Sequence, residues 1–193
     1  MTLGLFGGSF NPPHVGHLAL AEACAEAAGL DQVLWTPTPD PPHKGVAGLV
    51  APEHRLAMTR LAIAGNARFA VTDMEFRRPG PHYTVDTLRA LRAEHPDAAL
   101  ALVGGGDSLA GFASWREPEA ILRLARLVVY RRPGSDLAGV ATDILARTTV
   151  VDGPALDLSA SELRTRIAAG QSVRYLVPDA VLAYLAEHSL YAP

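Results

Sequence analysis

The sequence predicts an α/β fold built on an open, doubly wound, mainly parallel sheet with helices on both faces. Three observations carry this expectation. Apolar runs of strand length alternate with helix-length segments almost throughout, the pattern of βαβ units. The glycine-rich turns fall directly after strand-like runs, at residues 7–17 and 104–108, where open parallel sheets bind ligands. The composition, 193 residues with 49% hydrophobic and 19% charged, suits one soluble domain spanning residues 1–193 around one core.

In chain order, Leu3–Phe6 reads as the first strand, and Leu18–Ala28 as an Ala/Leu-rich helix stopped by Gly29. Strand Gln32–Thr36 leads through a proline-rich loop, residues 37–45, into a helix over Pro52–Ala64. Strand Phe69–Thr72 precedes a helix from Val85 to Glu94, with Thr84 as its expected N-cap. Strand Ala99–Val103 runs into Gly104-Gly105-Gly106-Asp107-Ser108, and a helix follows at Pro118–Leu124. Strands Leu127–Tyr130 and Thr148–Val151 bracket a helical pattern over Leu137–Ala146. Two helices, Ser159–Ala169 (closed by Gly170) and Pro178–Glu187, form a C-terminal segment over about 159–193, expected to pack on the same domain.

The densest motif is Gly7-Gly8-Ser9-Phe10-Asn11-Pro12-Pro13-His14-Val15-Gly16-His17, a turn between a strand and a helix. Small residues let an anion approach the backbone, and a helix N-terminus offers it N–H groups without partners. His14 and His17 can then flank the same phosphate. Six fixed residues at this spacing recur by chance on the order of 10⁻⁸ per position. The segment is neither a Walker A loop nor a Gly-x-Gly-x-x-Gly dinucleotide turn.

Other segments carry weaker signals. In Gly104-Gly105-Gly106-Asp107 the glycines admit a nucleotide near the backbone, and Asp107 suits ribose hydroxyls. Trp115, just beyond, is either core or a platform for a flat ring. Ser159-Ala160-Ser161-Glu162-Leu163-Arg164 opens a helix, and a Ser159–Glu162 capping box leaves Ser161 and Arg164 unassigned. An arginine near a helix N-terminus opposes the dipole unless an anion sits there. Pro81-His82-Tyr83-Thr84 reads as a loop entering a helix. Arg131-Arg132-Pro133-Gly134 reads as a solvated turn after a strand, with a phosphate clamp as the lesser reading.

Charge and composition narrow the partners. A net charge of −3 leaves no basic field to recruit nucleic acid. No apolar run reaches membrane length and no basic leader precedes the first strand, so a cytoplasmic protein without a membrane partner is expected. The single Cys24 lies in the Ala-rich helix and reads as a buried thiol. Of seven histidines only His14 and His17 share a local spacing, with no third ligand nearby, which argues against a structural zinc. Lys44 is the chain's only lysine, in Pro39-Asp40-Pro41-Pro42-His43-Lys44, a place suited to a phosphate contact.

The first motif resembles that of the nucleotidyltransferases marked by a His-x-Gly-His turn. Together with Pro41-Pro42-His43-Lys44, Tyr83-Thr84-x-x-Thr87-Leu88, Gly104-x-x-Asp107-Ser108-Leu109, Trp115, Arg131-Arg132-Pro133-Gly134 and Ser159-Ala160-Ser161-x-x-Arg164, it is similar to the bacterial nicotinate mononucleotide adenylyltransferases over Leu5–Tyr191. The resemblance implies a Rossmann-like fold and transfer of AMP from ATP to nicotinate mononucleotide in NAD synthesis. It implies catalytic roles for His14, His17, Lys44 and Arg164. It further implies ATP contacts from Gly7, Gly8, Ser9, Phe10, Gly104, Asp107, Ser159 and Ser161. Nicotinate mononucleotide would fall to Lys44, Tyr83, Thr84, Asp107, Trp115 and Arg116, with Trp115 stacked on the pyridine and the Thr84 and Arg116 amides on its carboxylate. Mg²⁺ is expected on the ATP phosphates without a protein cage, and a homo-oligomer stays open. Phosphopantetheine adenylyltransferases and cytidylyltransferases share the first and last motifs but not the Pro-Pro-His-Lys loop.

Overall fold

The computed structural model describes residues 1–41, 48–131, 139–154 and 156–192, and only the backbone of Asp107. Lys44 and Arg132 therefore lie outside the described residues. Six strands form one sheet: β1 (Thr2–Gly8), β2 (Gln32–Pro37), β3 (Phe69–Val71), β4 (Ala99–Gly105), β5 (Arg126–Arg131) and β6 (Thr148–Asp152). Their order is β3-β2-β1-β4-β5-β6 and every pairing is parallel. The order reverses between β1 and β4, the crevice where such sheets bind ligands.

Strand periodicity sorts the apolar residues onto two faces. Leu3, Leu5, Leu34, Leu100, Leu102, Leu127 and Val129 face one way, into a core completed by α3 (Thr84–Glu94) and α5 (Pro118–Leu124). Phe6, Val33, Trp35, Ala101, Val103, Val128 and Tyr130 face the other, against Leu20, Ala21, Cys24 and Ala25 of α1 (Val15–Ala27). Gly4 keeps this second face closed, because a side chain there would meet Leu30 at 2.7 Å. A third cluster joins Met58 and Ala62 of α2 (Pro52–Ile63) to Leu163 of α7 (Ala160–Ala168) and Val181 and Leu185 of α8 (Asp179–Glu187). The Val15 N–H donates to Leu176 O at 3.0 Å, tying the C-terminal segment to the start of α1.

Several boundaries differ from the expected ones. Helix α1 begins at Val15 rather than Leu18, so His17 is its third residue. Helix α3 begins at Thr84, and its N-cap is Tyr83, not Thr84, because Tyr83 takes the extended backbone while Thr84 already turns helically. The glycines after β4 do not make an open turn. Gly105 ends the strand and a short helix, α4 (Gly106–Ala110), starts at once. The pattern over Leu137–Ala146 condenses, among the described residues, to α6 (Thr142–Leu145). Single 3-10 turns at Met74–Arg77 and Phe112–Ser114 complete the connections.

Candidate active site

Two cavities open at the carboxyl ends of the strands and share a seam of Phe6, Gly7, Gly8, Ser9, Gly105 and Ser108. The seam lies on β1 and the β4–α4 junction, the switch point of the sheet.

The larger cavity, about 460 Å³, brings Phe10, His14 and His17 together with Ser159, Ser161 and Arg164. The histidines and the 159–164 segment are more than 140 positions apart in sequence and meet where Leu158 and, on α7, Leu163 share the third apolar cluster with Val15 of α1. His14 is 1% exposed, so its ring is part of the packed wall of the cavity. The two imidazoles stack with centroids 3.7 Å apart, and the His14 N–H donates to His17 Nδ1 at 3.2 Å. In the neutral ring this bond places the His17 proton on Nε2, making that atom a donor. Gly16 leaves room for the same packing, since a Cβ there would lie 3.0 Å from His14 Nδ1. Phe10 adopts φ 44°, a left-handed conformation rare for an aromatic residue, and its ring is buried among Phe6, Trp35 and His17.

Arg164 is the fifth residue of α7 and reaches back across the cavity. Its Nη1 donates to Asn11 O at 2.9 Å and its Nη2 to Ser161 Oγ at 3.2 Å. It thereby links the two halves of the cavity wall, beyond any role with an anion. Ser159 Oγ accepts from the Glu162 N–H at 3.2 Å, the forward half of the expected capping box.

Asn11 and Arg55 were not singled out by sequence, yet they organise the site. Asn11 Nδ2 donates to Gly48 O at 2.7 Å, while its Oδ1 accepts from the Val50 N–H at 3.3 Å and from Tyr191 Oη at 2.5 Å. The Arg55 guanidinium is fully buried and donates to Ser9 O at 2.9 Å, Thr38 O at 2.7 Å, Pro39 O at 2.7 Å and Val50 O at 3.2 Å. Burial pulls its pKa below the usual arginine value, with Tyr191 and Glu53 pulling weakly the other way. The helical spacing of Arg55, Met58, Thr59 and Ala62 was the available signal, since it puts the arginine on the buried face of α2.

The smaller cavity, about 270 Å³, runs from the seam toward the first core face. Gly104, Tyr83, Thr84, Trp115 and Arg116 line it. Gly104, expected with ATP, thus lies on this side, and Gly105 is the glycine that borders both cavities. Trp115 packs beside Phe112 with ring centroids 5.6 Å apart, and the Arg116 guanidinium sits 4.7 Å above the Tyr83 ring. As the first helical residue, Thr84 has an N–H without an intrahelical acceptor. Glu75, His82 and Thr87 also line this wall and were not expected there. Arg131 forms a two-pronged ion pair with Asp152, both contacts at 2.8 Å, in place of an open phosphate clamp.

The chain is similar to known proteins over its whole length. A sequence model of the cytidylyltransferase-like family matches residues 5–166. A Salinibacter ruber protein named "Probable nicotinate-nucleotide adenylyltransferase" is 47% identical over 193 residues, covering 100% of this chain and 99% of that protein. A Synechococcus protein of the same name is 44% identical, covering 98% and 94%. Among solved structures, the Plasmodium falciparum nicotinic acid mononucleotide adenylyltransferase complexed with NaAD superposes with a TM-score of 0.79 over 98% of this chain and 97% of that one. At 18% identity that likeness speaks for the fold.

Proposed function

The chain belongs to the nicotinate-nucleotide adenylyltransferases of the cytidylyltransferase-like family, and from that premise we propose how its two cavities divide the reaction. The enzyme transfers the AMP moiety of ATP to nicotinate mononucleotide, giving nicotinate adenine dinucleotide and pyrophosphate. The observation that carries the division is the shared seam: two chambers of different chemistry meet at one glycine-rich edge.

ATP occupies the larger cavity. His14, His17, Ser159, Ser161 and Arg164 bind its phosphates, with Gly7, Gly8, Ser9 and Phe10 against the nucleotide. Nicotinate mononucleotide occupies the smaller cavity, where Trp115 supplies a face for the pyridine ring and Tyr83, Thr84 and Arg116 surround its carboxylate. Lys44 reaches the phosphates near the point of reaction, and Asp107 takes a ribose. The nucleophile is a phosphate oxygen that is already ionised, so no general base is required. The protein's task is to hold two polyanions in line and stabilise charge at the α-phosphorus and on the departing pyrophosphate. Donors such as His17 Nε2 serve that charge.

Mg²⁺, where it accompanies ATP, supplies further neutralisation of the phosphates. The polar groups described in the larger cavity are histidine, serine, asparagine and arginine rather than carboxylates, which suits an ion carried on the nucleotide. The same reading makes the chain one domain acting in the cytoplasm on small molecules. Among the described residues no helix is long and apolar enough to cross a membrane.

Pyrophosphate release from Mg-ATP tests the proposal with nicotinate mononucleotide, nicotinamide mononucleotide and phosphopantetheine in parallel. A strong signal with the nicotinate form is the expected result. Activity with phosphopantetheine alone moves the chain to the sister transferases, and silence with all three removes the enzymatic reading.

A further inference from the structure

The wall of the smaller cavity carries two buried polar atoms that find no hydrogen-bond partner among the described residues, Glu75 Oε2 and His82 Nδ1. Glu75 is 5% exposed, and its other oxygen accepts from Thr87 Oγ1 at 2.5 Å, with Arg78 at 3.8 Å. His82 is 6% exposed and immediately precedes Tyr83, the N-cap of α3. Buried polar groups without partners are uncommon in folded proteins and cost stability, so two in one cavity wall ask for a ligand that completes them.

We propose that His82 is a specificity-determining residue that selects the carboxylate form of the pyridine mononucleotide over the carboxamide. The inference rests on the assignment of this cavity to that mononucleotide. Of the described basic side chains lining the cavity, Arg116 is exposed and His82 is buried. A carboxylate entering this wall meets a like charge at Glu75, and that repulsion favours the neutral amide. An imidazole carrying a proton at Nδ1 reverses the balance, because a bond from it to a carboxylate is charge-assisted and about twice as strong as one to a neutral amide. His82 stands two positions before Thr84, so the imidazole and the Thr84 N–H approach the same end of α3.

The test compares wild type, His82→Leu and His82→Gln by pyrophosphate release, measuring kcat and KM for nicotinate and nicotinamide mononucleotides at saturating Mg-ATP. Loss of one buried donor corresponds to about tenfold. His82→Leu is expected to raise the KM for the nicotinate form about tenfold and to lower the nicotinate-to-nicotinamide ratio of kcat/KM to match. His82→Gln, which keeps a side-chain donor, recovers most of that ratio. A ratio that moves less than threefold in His82→Leu, or equal losses with both mononucleotides, overturns the proposal. If the leucine variant does not fold, His82→Ala, which also lacks a side-chain donor, decides by the same ratio. An inactive wild type instead brings down the underlying assignment, and this inference with it; an active wild type with an unmoved ratio brings down His82 alone.

Discussion

Gly16 and His17 illustrate how closely the first motif is specified. A helix interior favours alanine over glycine by about 0.5–1 kcal/mol, an advantage smaller at Gly16, the second residue of α1. At Gly16 the new Cβ would stand 3.0 Å from His14 Nδ1 and force that ring to move by a few tenths of an ångström. Gly16→Ala is therefore expected to keep or slightly raise the melting temperature while lowering kcat about tenfold through misplacement of the imidazole; retained activity would show that the His14 position is not critical. If His17 donates to developing charge as proposed, His17→Ala should lower kcat by about 10²–10³-fold. A loss of less than tenfold in single-turnover measurements would take His17 out of the catalytic set. The juxtaposition of His14 and His17 was legible in sequence because a three-residue spacing at a helix start puts the two rings on one side. Asn11 and Arg55 were not, since their roles come from backbone carbonyls brought together only by the fold, at Gly48 for one and at Ser9, Thr38, Pro39 and Val50 for the other.

The helices show the same division one level up. The amino end of α7 was readable, because Ser159 followed three residues later by Glu162 is a capping pattern, and Ser159 does accept from the Glu162 N–H. Ser159→Ala should cost about 1 kcal/mol of stability in urea denaturation. Its KM for ATP should rise as well, because fraying the first turn loosens Ser161 and Arg164; an unchanged KM would confine Ser159 to capping. The start of α3 was misread by one residue, since either Tyr83 or Thr84 could precede the turn and only backbone geometry decides between them. At α4 the three glycines suggested an open turn, and propensity lost to context: β4 and β5 hold Gly104 and Gly105 in the sheet, and the chain turns helical directly afterwards.

For the molecule as a whole, sheet type followed from strand–helix alternation, whereas strand order did not, because no local pattern says that β1 lies between β2 and β4. Burial of two acidic groups sets a pH limit on the folded state. The Cys24 thiol, on the face of α1 that is buried against the sheet, is pushed from 9.0 up to about 12 by desolvation. The Tyr191 hydroxyl is raised by burial as well, with Arg164 and Arg55 pulling it back in part. In both cases the folded chain keeps a proton that the unfolded chain releases, so raising the pH favours unfolding. The stability that Cys24 contributes is complete below pH 9 and declines from there toward 12. The urea midpoint should therefore drop between pH 8.5 and 10.5, and Cys24→Ala should flatten that slope; an identical slope in the variant would assign the effect elsewhere.

The strand order has one more consequence, for a chain still being made. Strand β1 emerges from the ribosome early and can pair with β2, but its other neighbour, β4, where Thr2 faces Ala99, has yet to be synthesised. At elongation rates of roughly 5–20 residues per second, the β4-facing edge of β1 stays open for several seconds. In that interval β4 supplies neither Gly104 nor Gly105 to the cavity walls, and the edge of β1 waits unpaired.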